Sequence, residues 1–201
     1  MSDISPINVQ IIIGSTRQNR FSEKPAHWIL GELQKREGIN AELVDLRDYP
    51  LPFFDEPKSP MWINRNYSHQ IVAQWSEKVD QADAYIMIAP EYNHGYSAVL
   101  KNALDWLYPE WNHKPVGFVS YGGVGGARAV EQLRQVVIEL QMLPIKQGLH
   151  IPLDAFIAAM NVPAPVDPEI FNKPLRTFGD AVAMFIDQLT AMTNASKALR
   201  G

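Results

Sequence analysis

The sequence predicts an α/β three-layer sandwich in which a five-stranded parallel sheet is covered by helices on both faces. Five short apolar segments alternate along the chain with segments of helical periodicity, a pattern typical of parallel sheets with helical crossovers. Three of these segments, at 7–13, 84–89 and 116–120, are mostly apolar, as expected for strands buried on both faces. The 201 residues contain no internal repeat and no linker, so we expect a single domain spanning residues 1–201.

The elements follow one another in a regular order. The predicted strands share a short apolar run that ends at a turn, and they cover residues 7–13, 41–46, 84–89, 116–120 and a less regular stretch at 145–151. The predicted helices share apolar residues spaced three and four apart, and they lie around residues 26–33, 71–79, 100–107, 130–140 and 178–189. We expect the proline-rich segment 152–168 to be a loop and residues 194–201 to fray.

The polarity of the strands predicts the order 2-1-3-4-5. The second strand carries polar residues and the fifth is interrupted, so both suit the edges of the sheet, whereas the apolar first, third and fourth strands suit its centre. In this order the ligand crevice lies at the carboxyl ends of strands one and three.

Composition excludes several classes of function. The chain has 18 basic and 22 acidic residues, a formal net charge of −4, which argues against binding to nucleic acid or to an anionic membrane. It contains no cysteine, so thiolate nucleophiles and iron–sulfur sites are impossible. We find neither signal-peptide features nor an apolar stretch of membrane-spanning length, and we expect a cytoplasmic protein.

The loop after the first strand carries hydroxyl and guanidinium groups directly before a helix. It contains Ser15, Thr16, Arg17 and Arg20, and Ser22 is placed to cap the helix. Backbone N–H groups, the helix dipole and arginine side chains together suit a phosphate dianion. The loop matches neither the Walker A pattern nor G-x-G-x-x-G. We therefore expect a phosphate site, with an ordinary polar turn as the alternative.

The loop after the third strand begins Pro90-Glu91-Tyr92-Asn93, on the other side of the expected crevice. The backbone N–H groups and side chains of Tyr92 and Asn93 can meet the polar edge of a planar heteroaromatic ring. The alternative is a capped loop with exposed aromatic residues, and His94 is then a solvated residue at the rim.

The loop after the fourth strand begins Ser120-Tyr121-Gly122-Gly123 and holds four glycines in five positions. Glycines let the backbone approach a flat ligand closely. Although glycine-rich turns are common, this is the third loop predicted at the same edge of the sheet.

These loops give the chain a recognisable pattern. P-E-Y-N stands at 90–93 and L-K-N-A-L-D-W at 100–106, while G-S-x-R stands at 14–17 and S-x-G-x-x-G-G at 120–126. The chain resembles the NADPH-dependent FMN reductase family, which includes quinone, azo-dye and chromate reductases. The resemblance runs from the first strand to the fourth helix. It departs at Arg20, where the family has serine, so either Ser22 or Arg20 takes that place at the phosphate.

The resemblance implies a flavodoxin-like fold and a role for bound FMN. The phosphate would lie on the first loop, and the isoalloxazine between the second and third loops. NADPH would give hydride to FMN, and a quinone or similar small acceptor would take the electrons. No side chain then needs to act as acid or base, so we predict no catalytic residue. The histidines show no metal-ligand spacing, and we predict no metal ligand. The resemblance also implies a homodimer or homotetramer.

Two alternatives share the fold. One is a flavodoxin-like electron carrier and the other a flavin sensor, both without nicotinamide turnover. Arg17 and the modest net charge favour the reductase over a carrier. A low-molecular-weight phosphatase is excluded because it needs a loop cysteine. The electron acceptor and the choice between NADPH and NADH stay open.

Overall fold

The computed structural model describes residues 6–176 and 179–200. Within them, strands alternate with helices as the sequence predicts. The strands are β1 (Ile7–Ile13), β2 (Ile39–Asp45), β3 (Ala84–Pro90), β4 (Pro115–Tyr121), β5 (Leu143–Pro144) and β6 (Leu149–His150). The helices are α1 (Glu23–Gln34), α2 (Gln70–Asp80), α3 (Ala98–Asp105), α4 (Ala127–Glu139), α5 (Leu153–Met160), α6 (Glu169–Leu175) and α7 (Ala181–Lys197), with a 3₁₀ turn at Pro60–Trp62.

The sheet has the predicted order β2-β1-β3-β4-β5, and all its pairs are parallel. Ile13, the last residue of β1, is in register with Asp45 of β2 and Ile88 of β3. The carboxyl ends of the central strands therefore reach the same edge of the sheet, and their loops emerge side by side.

The fifth position of the sheet differs from the prediction of one strand. It is filled by β5 and β6, two strands of two residues each, which pair with opposite ends of β4. Between them the carbonyl oxygens of Ile145 and Lys146 accept hydrogen bonds from the guanidinium of Arg134, at 2.8 and 3.0 Å. Because a side chain of α4 takes these acceptors, the strand is interrupted there.

The two layers of helices cover opposite faces of the sheet. Ile11 faces a core that includes Ile29 of α1 and Phe185 of α7, whereas its neighbour Ile12 faces a core that includes Trp75 of α2 and Leu104 of α3. Because successive side chains of β1 point to opposite faces, the strand contributes residues to both hydrophobic cores. Among the described residues, no helix is long and apolar enough to cross a membrane.

The segment 152–168 is not the continuous loop that its prolines indicate. Helix α5 occupies its first half, with Ala155 and Ala159 buried one helical turn apart. Pro152 precedes the helix, where the absence of an N–H group costs no helical hydrogen bond. The prolines therefore bound a helix here.

The final helix has the predicted apolar face, since Val182, Phe185, Ile186 and Leu189 are buried. Phe178, which we assigned to this face, lies outside the described residues. The expectation of a frayed end is wrong up to Lys197, where α7 ends. Beyond it, the guanidinium of Arg200 lies 3.1 Å from the carboxylate of Asp83 and secures the chain against the sheet.

Candidate active site

Hydroxyl groups tie the first loop to the other two at the carboxyl edge of the sheet. The hydroxyls of Ser15 and Tyr92 lie 2.7 Å apart, and those of Ser22 and Tyr121 lie 2.6 Å apart. Ser15 and Ser22 flank the first loop, whereas Tyr92 and Tyr121 belong to the second and third loops. The three loops that the sequence singled out therefore form one connected surface.

The exposed part of the first loop offers a free cation. Residues 16–19 are exposed, and the guanidinium carbon of Arg17 lies 5.5 Å from the centre of the Tyr92 ring. Within the part of the chain that the structure describes, no carboxylate pairs with Arg17. An anion at this loop would therefore meet a guanidinium that has no competing partner.

Arg20, in contrast, is engaged inside the protein. Its guanidinium binds both carboxylate oxygens of Asp45, donates to Glu23 at 3.0 Å and donates to the carbonyl of Ser15 at 2.7 Å. Burial opposes the charge on Arg20, but the hydrogen bonds and charges of Asp45 and Glu23 outweigh it and raise its pKa. Burial alone would raise the pKa of Asp45. The contacts with Arg20 and Arg47 have a larger, opposite effect, so the pKa of Asp45 is lowered. Arg20 therefore supports the first loop from inside the protein.

Ser22 does not cap α1 with its side chain, in contrast to our expectation. Its backbone is already helical, and its hydroxyl bonds to Tyr121 instead of to a backbone N–H group. Burial raises the pKa of Tyr121 above its usual range. The rings of Phe21 and Phe156 pack against Tyr121, with centroids 4.8 and 5.6 Å away. The partner of Ser22 is distant in sequence, so no local pattern reveals it.

The second loop closes as a two-residue hairpin turn after Pro90, the last residue of β3. The backbone groups of Tyr92 and Gly95 exchange hydrogen bonds of 2.8 and 3.0 Å. Asn93 and His94, between them, both have positive φ angles, 51° and 71°, as in a type I′ turn. The turn exposes Asn93 and His94 at the rim of the site.

The carboxylate of Glu91 is directed toward α4. It accepts a hydrogen bond from the backbone N–H of Arg128 at 3.2 Å and another from the guanidinium Nε at 2.7 Å. The side chain of Glu91 is 3% exposed. Glu91 therefore provides a hydrogen-bond acceptor for a backbone N–H group in the first turn of α4, and it joins the second loop to the third. Sequence analysis missed Arg128, although its position in the first turn after the glycine loop was visible.

The third loop has glycines where side chains do not fit. A Cβ atom at Gly126 would lie 2.7 Å from the backbone nitrogen of Tyr121, and one at Gly122 would lie 2.9 Å from the Cβ of Glu91. At Gly123 a Cβ atom would meet nothing within 4 Å. The loop is therefore tightly packed inward and open on its outer side.

Ser120 supports the third loop from within the sheet. Its hydroxyl donates to the carbonyl of Gly125 at 2.7 Å and lies 2.8 Å from Nδ1 of His150. Burial, with a further contribution from Arg134, lowers the pKa of His150 and favours the neutral ring. His150 is the last residue of β6, and the sequence analysis did not predict a role for it.

A cleft of about 370 Å³ opens beside the first loop. Thr16 lies on one side, and aromatic and apolar side chains of the segment after β2, including Tyr49 and Phe53, form another. Asn102 of α3 contributes a polar wall. The cleft lies between the first loop, the segment after β2 and helix α3, and its lining residues come from neither the second nor the third loop, so it is beside the predicted crevice and does not coincide with it.

The L-K-N-A-L-D-W segment fixes that wall of the cleft. Trp106 is buried, and its indole N–H donates to the carbonyl of Pro52 at 2.7 Å. The amide of Asn102 donates to the same carbonyl at 2.8 Å and accepts from the backbone N–H of Phe54 at 3.0 Å. Among the described residues, no cluster of histidine and carboxylate side chains suits a metal ion.

Comparison with known proteins identifies the family of this chain. The family model for NADPH-dependent FMN reductases matches residues 7–155, which contain all three loops. The chain belongs to the NADPH-dependent FMN reductase family. It is therefore an oxidoreductase of the group that uses FMN together with a nicotinamide nucleotide.

Individual relatives support the family assignment. The chain is 37% identical over 180 residues to an NAD(P)H-dependent FMN reductase of Schizosaccharomyces pombe, covering 88% of this chain and 90% of the relative. It is 32% identical over 142 residues to an NADPH:quinone oxidoreductase of Arabidopsis thaliana, covering 68% and 69%. The flavoenzyme FerB of Paracoccus denitrificans, an NAD(P)H:acceptor oxidoreductase, superposes with a TM-score of 0.67 at 23% identity, covering 92% of this chain and 98% of FerB. This last similarity concerns the fold.

Proposed function

We propose that this family member moves hydride from NADPH to non-covalently bound FMN and passes the electrons to a quinone or a similar small acceptor. The observation that carries the proposal is Arg17, whose guanidinium pairs with no carboxylate among the described residues and which lies on an exposed loop hydrogen-bonded to the two loops beside it. When bound, FMN supplies the redox chemistry by accepting hydride and releasing two electrons. The protein then has to bind, orient and shield the reactants.

The first loop suits the phosphate of FMN. We assign the direct contacts to Thr16 and Arg17, because both are exposed, and we give the buried Ser15 a positioning role because its hydroxyl is engaged with Tyr92. For Arg20 and Ser22 we propose a positioning role, since Arg20 is engaged with Asp45 and the Ser22 hydroxyl with Tyr121. Under this proposal neither Arg20 nor Ser22 contacts the phosphate directly.

The second and third loops suit a flat ring between them. The backbone from Pro90 to Asn93 would present N–H and carbonyl groups to the ring edge, with the Glu91 side chain holding the two loops together. Across from it, residues 120–123 end in Gly123, whose outer side is open. A ring can approach the backbone there because no Cβ atom intervenes.

Exposed aromatic residues support a homodimer or homotetramer. Phe53 is 81% exposed and Trp62 is 75% exposed, and both lie on the connection between β2 and α2. Large exposed apolar side chains on one segment favour a protein interface. We further propose a cytoplasmic protein that binds neither nucleic acid nor membranes. Light scattering after gel filtration tests the oligomer, and cell fractionation tests the location.

Anaerobic reduction tests the function. The purified protein is loaded with FMN, freed of unbound flavin and mixed with NADPH while the flavin absorbance is recorded. We expect rapid bleaching and the return of colour when benzoquinone is added. Flavin that stays bound and oxidised would instead identify an electron carrier or a sensor. Repeating the experiment with NADH gives the nucleotide preference.

A further inference from the structure

His94 lies at the tip of the second loop in a backbone conformation that few non-glycine residues adopt. Its φ angle is 71°, and that of the preceding Asn93 is 51°. A left-handed backbone is unfavourable for a residue with a Cβ atom, and such residues concentrate at functional sites where neighbouring contacts hold them. The contacts around His94 are therefore informative.

Helix α4 holds both the backbone and the side chain of His94. Arg128 donates from Nη1 to Nε2 of His94 at 2.7 Å, and the amide of Gln132 donates to the His94 carbonyl at 3.0 Å. Arg128 and Gln132 are four residues apart and so share one face of the helix. Arg128 is itself paired with Glu91 of the second loop. The imidazole is thus fixed by a chain of contacts that begins and ends in the same loop.

This arrangement selects one tautomer of His94. A guanidinium donates hydrogen bonds but cannot accept them, so Nε2 must offer its lone pair and the proton must reside on Nδ1. The side chain is exposed, and in the described part of the chain no acceptor is hydrogen-bonded to Nδ1. The protein therefore presents an oriented N–H donor beside the P-E-Y-N segment.

We propose that His94 donates its Nδ1–H to a carbonyl oxygen of the electron acceptor and so favours quinones over acceptors that take up no proton. The inference rests on the proposed function. A quinone that receives one hydride, supplied by NADPH through FMN, becomes a hydroquinone monoanion. Its phenolate oxygen then takes one proton from water. His94 keeps its own proton, and its N–H group stabilises the negative charge that develops on oxygen during hydride transfer.

The test compares two acceptors in two matched variants. Glycine accepts left-handed backbone and carries no side-chain donor, so His94→Gly keeps the turn while removing the N–H group. His113 provides the control, because it too is left-handed, with a φ angle of 58°, but lies just before β4 at the opposite end of the sheet. Each FMN-loaded variant is assayed with NADPH and either benzoquinone or ferricyanide, which takes one electron and no proton.

We expect His94→Gly to lower kcat/KM for benzoquinone by about three- to tenfold, the factor that one hydrogen bond provides. Its turnover with ferricyanide and both activities of His113→Gly should match the wild type. Equal losses with both acceptors, or no loss with benzoquinone, would overturn the inference. A wild type that oxidises NADPH with neither acceptor would overturn the proposed function as well.

A second measurement is independent of turnover. Nitrogen NMR of the labelled, FMN-free protein reports which imidazole nitrogen carries the proton, and the His94 signals are those missing from His94→Gly. We expect the neutral ring to carry its proton on Nδ1 and none on Nε2. A proton on Nε2 would contradict the assigned donor, whatever the kinetics show.

Discussion

Replacing Arg20 or Arg17 by alanine separates the arginine that supports the first loop from the one that is free to bind phosphate. Arg20 donates to both oxygens of Asp45, to Glu23 and to the carbonyl of Ser15. Its side chain is 1% exposed, whereas that of Asp45 is 25% exposed and that of Glu23 is 39% exposed. The guanidinium of Arg17 contacts the Tyr92 ring, and among the described residues it pairs with no carboxylate.

The burial of these groups sets the expected loss of stability. Removing one partner of a fully buried ion pair costs about 3–5 kcal/mol. Both carboxylates here keep contact with water, and Glu23 also pairs with Arg47 at 3.2 Å. We therefore expect Arg20→Ala to lower the free energy of unfolding by about 2–3 kcal/mol. Arg17→Ala should change it by less than about 0.5 kcal/mol, as for other surface substitutions.

We expect the opposite order for FMN binding, which Arg17→Ala should weaken more than Arg20→Ala does. Arg17→Ala should weaken FMN binding by about 1.5–3 kcal/mol, the value of a hydrogen bond to a charged group. Urea denaturation of the FMN-free protein, followed by circular dichroism, gives the stabilities. Quenching of flavin fluorescence gives the affinities. An Arg20→Ala variant as stable as the wild type, or an Arg17→Ala variant with unchanged FMN affinity, would refute the division of roles.

Three further predictions concern stability. Burial lowers the pKa of Lys114 from 10.5 to about 8, so between these values the folded protein binds fewer protons than the unfolded chain, and stability should rise with pH. In urea titrations at about pH 7 and 9.5, the increase in the free energy of unfolding should be absent from Lys114→Met. An unchanged increase in that variant would show that Lys114 does not have the lowered pKa. A double-mutant cycle with Ser22→Ala and Tyr121→Phe should give a coupling of about 0.5–1.5 kcal/mol, and zero coupling would show that their hydrogen bond contributes nothing. Gly126→Ala should lower the free energy of unfolding by about 2 kcal/mol, because φ is +76° there and the added Cβ meets the backbone of the third loop. Gly123→Ala places its Cβ in open space and should change the free energy of unfolding by less than about 0.5 kcal/mol. Similar thermal midpoints for the two variants would contradict this prediction.

Local patterns were sufficient for the central part of the fold. The segments that became β1, β3 and β4 are mostly apolar because most of their side chains are buried on both faces of the sheet, and this apolar character is visible in the sequence. The edges were less predictable. The interruption between β5 and β6 depends on Arg134, which reaches the strand from a different helix. Helix α5 was missed because the prolines around it are equally common in loops.

The sequence by itself determined the sheet order and the three loops at its carboxyl edge, because burial and turn chemistry leave a local record in apolar runs, glycines and prolines. It did not distinguish Arg17 from Arg20, which stand in the same polar loop. Only the tertiary structure separated them, by placing Asp45 against one and leaving the other exposed. The same holds for His94, whose tautomer depends on a side chain of α4. Partners distant in the chain set the charge and hydrogen bonding of each group, and local sequence carries no record of them.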